Sequence, residues 1–301
     1  MQLYKNNQTT IAPLKEIPFK LEKEIQNFFE QNLFSITGLQ FIKSEFTIKN
    51  YRIDTLAFDS EAKAFVIIEY KRNKHNSVFD QGITYLNLML EYRSDFIIEY
   101  NECLGQSLKR DDIDWSQSRV VFVAPSFTDF QQNSTNFKDF SIDLMEIKQF
   151  ENDIVMINPI KKSARAESIK PLTSLNTTLN KVAEVIKVYT EEDHLFNKSE
   201  SIKELYERYK EAILNLIDDV NVAPKKLYIS FEKSKRIIVD IVVQTQEIKL
   251  YINTQYSSFS DLQNLGVHMN DKTKWGRGYY QISIKDTSNL EYIMSLIKQA
   301  I

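Results

Sequence analysis

Hydrophobic residues recur at two different periods along the first half of the chain. In "FKLEKEIQNFFEQNLF" (19–34), Leu21, Ile25, Phe28, Phe29 and Leu33 follow the spacing of a helix with one apolar stripe. Three short β-rich runs follow, "SEFTIK" (44–49), "RIDTLAFD" (52–59) and "AFVIIEYK" (64–71), separated by polar turns. Helical spacing returns in "FDQGITYLNLMLEY" (79–92). "DFIIEY" (95–100) and "SRVVFVAP" (118–125) then read as strands, the second ended by Pro125. "IDLMEIKQF" and "DIVMINPI" add two more strands by residue 160.

A polar stretch, "KKSARAESIKPLTSLNTTLN" (161–180), marks a change of composition. Beyond it, "SIKELYERYKEAILNLIDDV" is an amphipathic helix. The strands "KLYISFEK", "RIIVDIVVQ", "EIKLYINT" and "QISIK" and a last helix complete the chain. The expectation is α/β: a domain at 1–165, a linker or connecting helix at 166–190, and a smaller α/β domain at 191–301.

The run "FVIIEYK" poses the chemical question. Residues two apart in a strand share a face, so Glu69 and Lys71 continue the row of Phe65 and Ile67. If the preceding turn is centred on Glu61 and Ala62, antiparallel partners have numbers summing to 123. Leu56 then faces Ile67, Phe58 faces Phe65 and Asp54 faces Glu69, while Thr55–Ile68 and Ala57–Val66 share the other face. A turn that shifts this pairing by two residues stays open. Both faces are apolar, so the hairpin is expected to be central. Directly opposed Cβ atoms lie about 4.5–5.5 Å apart, where two like charges repel. Two carboxylates at the end of such a pair need a neutralising partner, and a hard divalent cation is the simplest. Magnesium takes one or two protein carboxylates and completes its shell with waters and substrate phosphate oxygens. Lys71 would orient or help deprotonate a water, or stabilise charge building on phosphorus.

Composition narrows the alternatives. The chain has 301 residues, 43% of them hydrophobic, but six glycines, and no GxxxxGK[ST], GxGxxG or GxSxG occurs. Net charge is −3, so nucleic-acid binding would depend on local basic patches. Cys103 stands alone, and the three histidines, His75, His194 and His268, show no zinc spacing. Neither a secretory leader nor a membrane span is visible, and a soluble, cytoplasmic protein is expected.

"RID" at 52–54 followed by "IIEYK" at 67–71 resembles the PD-(D/E)XK nuclease superfamily, with Ile53 where the name-giving proline would stand. Gln81 and Tyr85, four apart on one helix face, are similar to the QxxxY signature of its RecB-like branch. "LEKEIQ" resembles the segment that supplies an early glutamate in NucS-like nucleases; Glu22 is the choice for that role and Glu24 its rival. The resemblance implies a restriction-endonuclease-like αβββαβ core with a mixed central sheet over roughly residues 16–125. It also implies an Mg²⁺-dependent endodeoxyribonuclease, with Mn²⁺ as a substitute. Asp54, Glu69 and the Tyr70 carbonyl would hold the ion, Lys71 would handle water, and Gln81, Tyr85 and Glu22 would support the site. DNA is favoured over RNA as partner by the resemblance alone. Restriction, repair and anti-phage defence are all open settings, and a homodimer is compatible with one site per chain.

Arg72 and Lys74 in "KRNKH" are candidates for backbone phosphate contacts. Lys274 and Arg277 in "KTKWGRGYY" are candidates for nucleic-acid binding, with Trp275, Tyr279 and Tyr280 interleaved. The plainer reading of that segment is a glycine-bearing turn whose aromatics pack into the core. Residues 190–301 resemble an uncharacterised domain joined to such nucleases and sometimes labelled a predicted transport protein. The competing reading of the whole is a catalytically silent nucleic-acid-binding or regulatory module of nuclease-like fold.

Overall fold

The structure is a computed structural model that describes residues 2–72, 77–163, 165–174, 176–234, 236–254, 259–269 and 279–301. The chain divides into two compact units, Met1–Val188 and Tyr189–Ile301.

The first unit opens with a small exposed hairpin, β1 (Tyr4–Asn6) and β2 (Ile11–Pro13), and a short strand, β3 (Glu16–Ile17). Helices α1 (Glu22–Gln31) and α2 (Leu33–Thr37) come next, followed by strands β4 (Gln40–Ile48), β5 (Tyr51–Asp59) and β6 (Ala64–Tyr70). Then come α3 (Val78–Glu91), α4 (Arg93–Leu104), β7 (Arg119–Ala124), α5 (Asp129–Thr135), β8 (Ile142–Phe150) and β9 (Ile154–Ile160). Helices α6 (Lys170–Thr173) and α7 (Thr177–Val185) close the unit. Helix, three strands, helix and strand appear in the expected αβββαβ order.

The sheet runs β3-β8-β7-β6-β5-β4, with β9 also on β8. It is mixed: β6–β7 and β7–β8 are parallel, the other pairs antiparallel. All seven residues of β6 are buried, as a strand covered on both faces requires. Leu56, Phe65, Ile67, Val120, Phe122 and Leu144 pack toward α3, α4 and α7. Ala57, Val66, Ile68, Tyr70, Val121 and Val123 pack with Ile25 and Phe29 of α1 on the opposite face. Thr55↔Ile68, Leu56↔Ile67, Ala57↔Val66 and Phe58↔Phe65 are the observed β5–β6 pairs, the register read from the apolar pattern.

Two expectations need correction. "DFIIEY" is part of helix α4, not a strand. Phe96, Ile97 and Tyr100 are buried at helical spacing, Ile98 is exposed, and Gly105 closes the helix at φ +61°. The connecting helix expected within 166–190 is present as α7, but the first unit runs to Val188 rather than to residue 165. Helix α7 packs on α3, and Leu179, Val182 and Ile186 join the first unit's core.

Gly82 lets α3 approach the sheet. A Cβ placed there would stand 2.1 Å from Ile142 Cδ1 and 2.9 Å from its Cγ1. Gly82→Ala therefore overpacks a buried contact and is expected to destabilise the first unit by about 1–3 kcal/mol, although alanine is the better helix former. Thermal unfolding measures this; an unchanged or raised Tm would show that the sheet yields freely at Ile142.

The second unit contains α8 (Glu191–Leu195), α9 (Glu200–Leu216), β10 (Asn221–Pro224), β11 (Ile229–Lys233) and β12 (Arg236–Val243). Strands β13 (Ile248–Asn253), β14 (Gly266–His268) and β15 (Tyr279–Ile284) and helix α10 (Leu290–Lys298) follow. Its antiparallel sheet runs β10-β11-β12-β13-β15-β14. Tyr206, Tyr209 and Ile213 of α9 and Ile293, Leu296 and Ile297 of α10 fill its core. Tyr280 is buried there, its hydroxyl donating to Asp261 Oδ2 at 2.7 Å. For this residue the core reading applies.

Candidate active site

The β5–β6 ladder stops at Thr55↔Ile68, one pair short of the acids. Side chains take over from the backbone there. The Asp54 N–H donates to Glu69 Oε1 at 3.1 Å, and the Tyr70 N–H donates to Asp54 Oδ2 at 3.1 Å. Each carboxylate thus accepts an amide of the other's strand, which holds Asp54 and Glu69 side by side on the α3 face.

Lys71 Nζ lies 3.2 Å from Glu69 Oε2, the alternation of β6 placing both on one face. From α3, Gln81 Nε2 donates to the same Glu69 oxygen at 2.9 Å and to the Tyr85 hydroxyl at 3.0 Å. The Tyr85 hydroxyl donates to the Arg52 carbonyl at 3.3 Å, linking α3 to β5. The i, i+4 spacing on a helix capped by Ser77 brings both side chains to the sheet.

The electrostatics are those of acids kept out of water. Glu69 is 2% exposed. Burial, and next the negative charge of Asp54, pushes its carboxyl above the usual range, against the pull of Lys71. Burial also raises Asp54, opposed by the Tyr70 N–H and Lys71 and reinforced by Glu22. The Tyr85 phenol is raised by burial and then by Glu69, so it stays protonated.

Glu22 acts on Asp54 through its charge and accepts the Arg72 N–H at 2.9 Å on Oε1. Glu24 instead accepts the Lys20 N–H at 2.7 Å, at the start of its own helix. The structure therefore brings Asp54, Glu69, Tyr70, Lys71, Gln81, Tyr85 and Glu22 together. The Arg72 guanidinium donates to the Lys20 carbonyl, tying it to the N-terminal arm. Lys74, His75, Lys272, Lys274, Trp275 and Arg277 lie outside the described residues.

One group of residues was not visible in the sequence: Gln26, Glu30, Thr55 and the Tyr70 hydroxyl, on the α1 face behind Asp54. Its available signal was the run Glu22, Gln26, Glu30, three polar residues four apart on one helix face.

The resemblance implies a divalent cation, and the donors can be tested against it. Two carboxylates and the Tyr70 carbonyl form an all-oxygen set, suited to a hard ion. Among the described residues no group of three or more His, Cys, Asp or Glu is gathered tightly enough to hold an ion alone.

Gln81→Ala removes one of two donors on Glu69 Oε2 without touching a ligand. Outer-shell substitutions of this kind cost about 10–100-fold in metal affinity or activity. Titrating MgCl₂ against thermal stability in both chains checks this, and the same metal dependence in both would free Gln81 of the role.

Residues 191–301 match the model of a domain of unknown function, DUF5655. Similar solved structures include a repair endonuclease from Pyrococcus abyssi, 22% identical with a TM-score of 0.21 over 38% of this chain and 42% of that one. EndoMS in apo form is 20% identical, with a TM-score of 0.27 over 41% and 44%. Pyrococcus furiosus SfsA in complex with Ca²⁺ is 15% identical, with a TM-score of 0.24 over 52% and 68%. The match thus spans less than half the length of the first two. No helix among the described residues is long and apolar enough to cross a membrane. An uncharacterised protein of Haemophilus influenzae is 51% identical over 301 residues, 100% of this chain and 99% of that protein. Identity of that degree along the whole length shows that this chain belongs to the same family as the Haemophilus influenzae protein.

Proposed function

We propose that the first unit is a metal-dependent nuclease that hydrolyses DNA phosphodiester bonds. The observation that carries this is the pairing of half-buried Asp54 with buried Glu69 at the end of the ladder, with Lys71 and Gln81 converging on it. Burial works against the ionised form of both acids, so the fold maintains an arrangement that a cation would relieve. Asp54, Glu69 and the Tyr70 carbonyl are the residues that would hold Mg²⁺ or Mn²⁺. Such an ion, when bound, polarises a phosphoryl oxygen and lowers the pKa of water.

The chain's own residues do the rest. Lys71 places its ammonium beside Glu69, where it orients the attacking water and offsets negative charge gathering on the phosphoryl oxygens. Gln81 holds Glu69 in the rotamer that faces Asp54, and its bond to Tyr85 fixes the amide. Glu22 adds a third carboxylate at the rim. Water attacks phosphorus and one P–O ester bond breaks. One site per chain cuts one strand, so a double-strand break takes two chains or two events. Restriction, repair and defence remain the settings in which such cutting would serve.

One observation favours the silent-module reading. Both Glu69 oxygens already accept hydrogen bonds, Oε1 from Asp54 and Oε2 from Lys71 and Gln81. Incubating supercoiled plasmid and labelled DNA and RNA oligonucleotides with the full chain in Mg²⁺, Mn²⁺ or EDTA separates the two. Metal-dependent DNA cutting is expected. Binding without cutting under every condition would favour the silent module, and cutting of RNA alone would replace the substrate.

A further inference from the structure

The two acids lie on the α3 face of the sheet, but the backbone that carries them is gripped from the α1 face. Gln26 is 4% exposed, and its Nε2 lies 2.8 Å from the Asp54 carbonyl, 3.0 Å from Ser44 Oγ and 2.9 Å from Glu30 Oε1. Thr55 Oγ1 donates to Glu30 Oε1 at 2.5 Å. A hydroxyl has one proton to give. With that proton on Glu30, the Tyr70 hydroxyl, 3.1 Å away, is the donor to Thr55 Oγ1. Tyr70 and Thr55 are both fully buried, so the chain Tyr70–Thr55–Glu30–Gln26 forms a closed polar network in an apolar layer.

Its position matters because the β5–β6 ladder has ended. No β5–β6 backbone pair joins residues 54 and 69–70; Glu69 and Tyr70 stay paired with Phe122 and Val123 of β7, while the Asp54 and Tyr70 amides rest on the carboxylates themselves. A carboxylate drawn toward a cation would loosen its hold on those amides. The network then remains as the link of β5 to β6 and to α1 at this level, through the Asp54 carbonyl, the Thr55 side chain and the Tyr70 hydroxyl.

We infer that Gln26 and the Tyr70 hydroxyl are positioning residues for the metal site, acting through the backbone of Asp54 and Tyr70 from the opposite side of the sheet. This rests on the metal-site reading above. The inferred consequence is that removing either group weakens metal binding and slows the chemical step without altering contact with DNA.

The test uses the full chain with Tyr70→Phe, which keeps the ring and removes one oxygen, and Gln26→Met, which keeps chain length and removes the donor. Tm is followed against MgCl₂ and MnCl₂ concentration, since an ion that binds the folded form stabilises it by RT ln(1 + [ion]/Kd). The metal concentration at which Tm begins to rise is expected to move up by about 10–100-fold in both variants. In plasmid cleavage, kcat should fall while KM for DNA stays at the wild-type value. A network that only braces the fold would lower the metal-free Tm and leave the onset concentration and kcat unchanged; that result overturns the inference. A wild-type chain with no metal-dependent rise in Tm overturns the metal site itself, and the inference with it. Should Gln26→Met fail to fold, Tyr70→Phe decides alone.

Discussion

Asp54→Asn is expected to lower the Mg²⁺-dependent rate of DNA cleavage by about a thousandfold or more, because one of two carboxylates that organise the charge of the reaction is gone. Asparagine keeps the shape of the side chain and an oxygen able to accept the Tyr70 N–H, so the loss reads charge rather than misfolding. Lys71→Ala should cost about 10²–10³-fold, the scale of removing one group that stabilises developing charge. Its neighbour Glu69 keeps donors from Asp54 and Gln81 and stays in place. Initial rates of plasmid nicking measure both, with circular dichroism confirming the fold. Cleavage in either variant within about tenfold of wild type would remove that residue from the reaction, the change being too small for a lost transition-state contact.

The same Asp54→Asn chain is expected to be more stable than wild type at neutral pH when no metal is present. In the folded protein the carboxyls of Asp54 and Glu69 both lie above their unfolded values, chiefly through burial. Below the unfolded carboxylate range, near pH 4, both groups carry protons in either state and their contribution to stability is fully present. As pH rises through the folded values, the buried site must ionise while the unfolded chain has already done so, and that stability is lost. Removing the Asp54 charge leaves Glu69 paired with Lys71 and should add about 1–2 kcal/mol at neutral pH, shrinking toward zero in acid. Added Mg²⁺ should reverse the order, raising Tm in wild type and little in the variant. Denaturant unfolding across this pH range is the measurement. A variant less stable than wild type at neutral pH without metal would show that the pair braces the fold.

Much of this site could be read from the chain. The register of β5 and β6 follows from period-two alternation with apolar residues on both faces, since a slip of one residue would turn Asp54 and Glu69 to opposite sides. QxxxY was legible because i, i+4 spacing on a helix needs no tertiary information. Helix α4 was hidden because Phe96, Ile97 and Ile98 form a β-rich run, and the helical pattern shows only with Tyr100. A connecting helix was expected within 166–190, but the membership of α7 in the first unit was hidden, because its few apolar residues, Leu179, Val182 and Ile186, meet α3 only through the fold. Gln26 was hidden because a helix glutamine is ordinarily solvated; only the sheet above it turns it into a buried donor. The sequence could not separate Glu22 from Glu24, because their different partners, the Arg72 N–H for Glu22 and the Lys20 N–H for Glu24, come from the fold.

The central claim is that Asp54, Glu69 and the Tyr70 carbonyl hold a divalent ion. Crystals of the full chain soaked in MnCl₂ and measured for anomalous scattering test it most directly. The expected result is a single strong peak about 2.0–2.3 Å from an oxygen of Asp54 and an oxygen of Glu69, with Lys71 Nζ outside the ligand shell. A fully soaked crystal with no peak between those two carboxylates, while manganese is seen elsewhere in the chain, would contradict it.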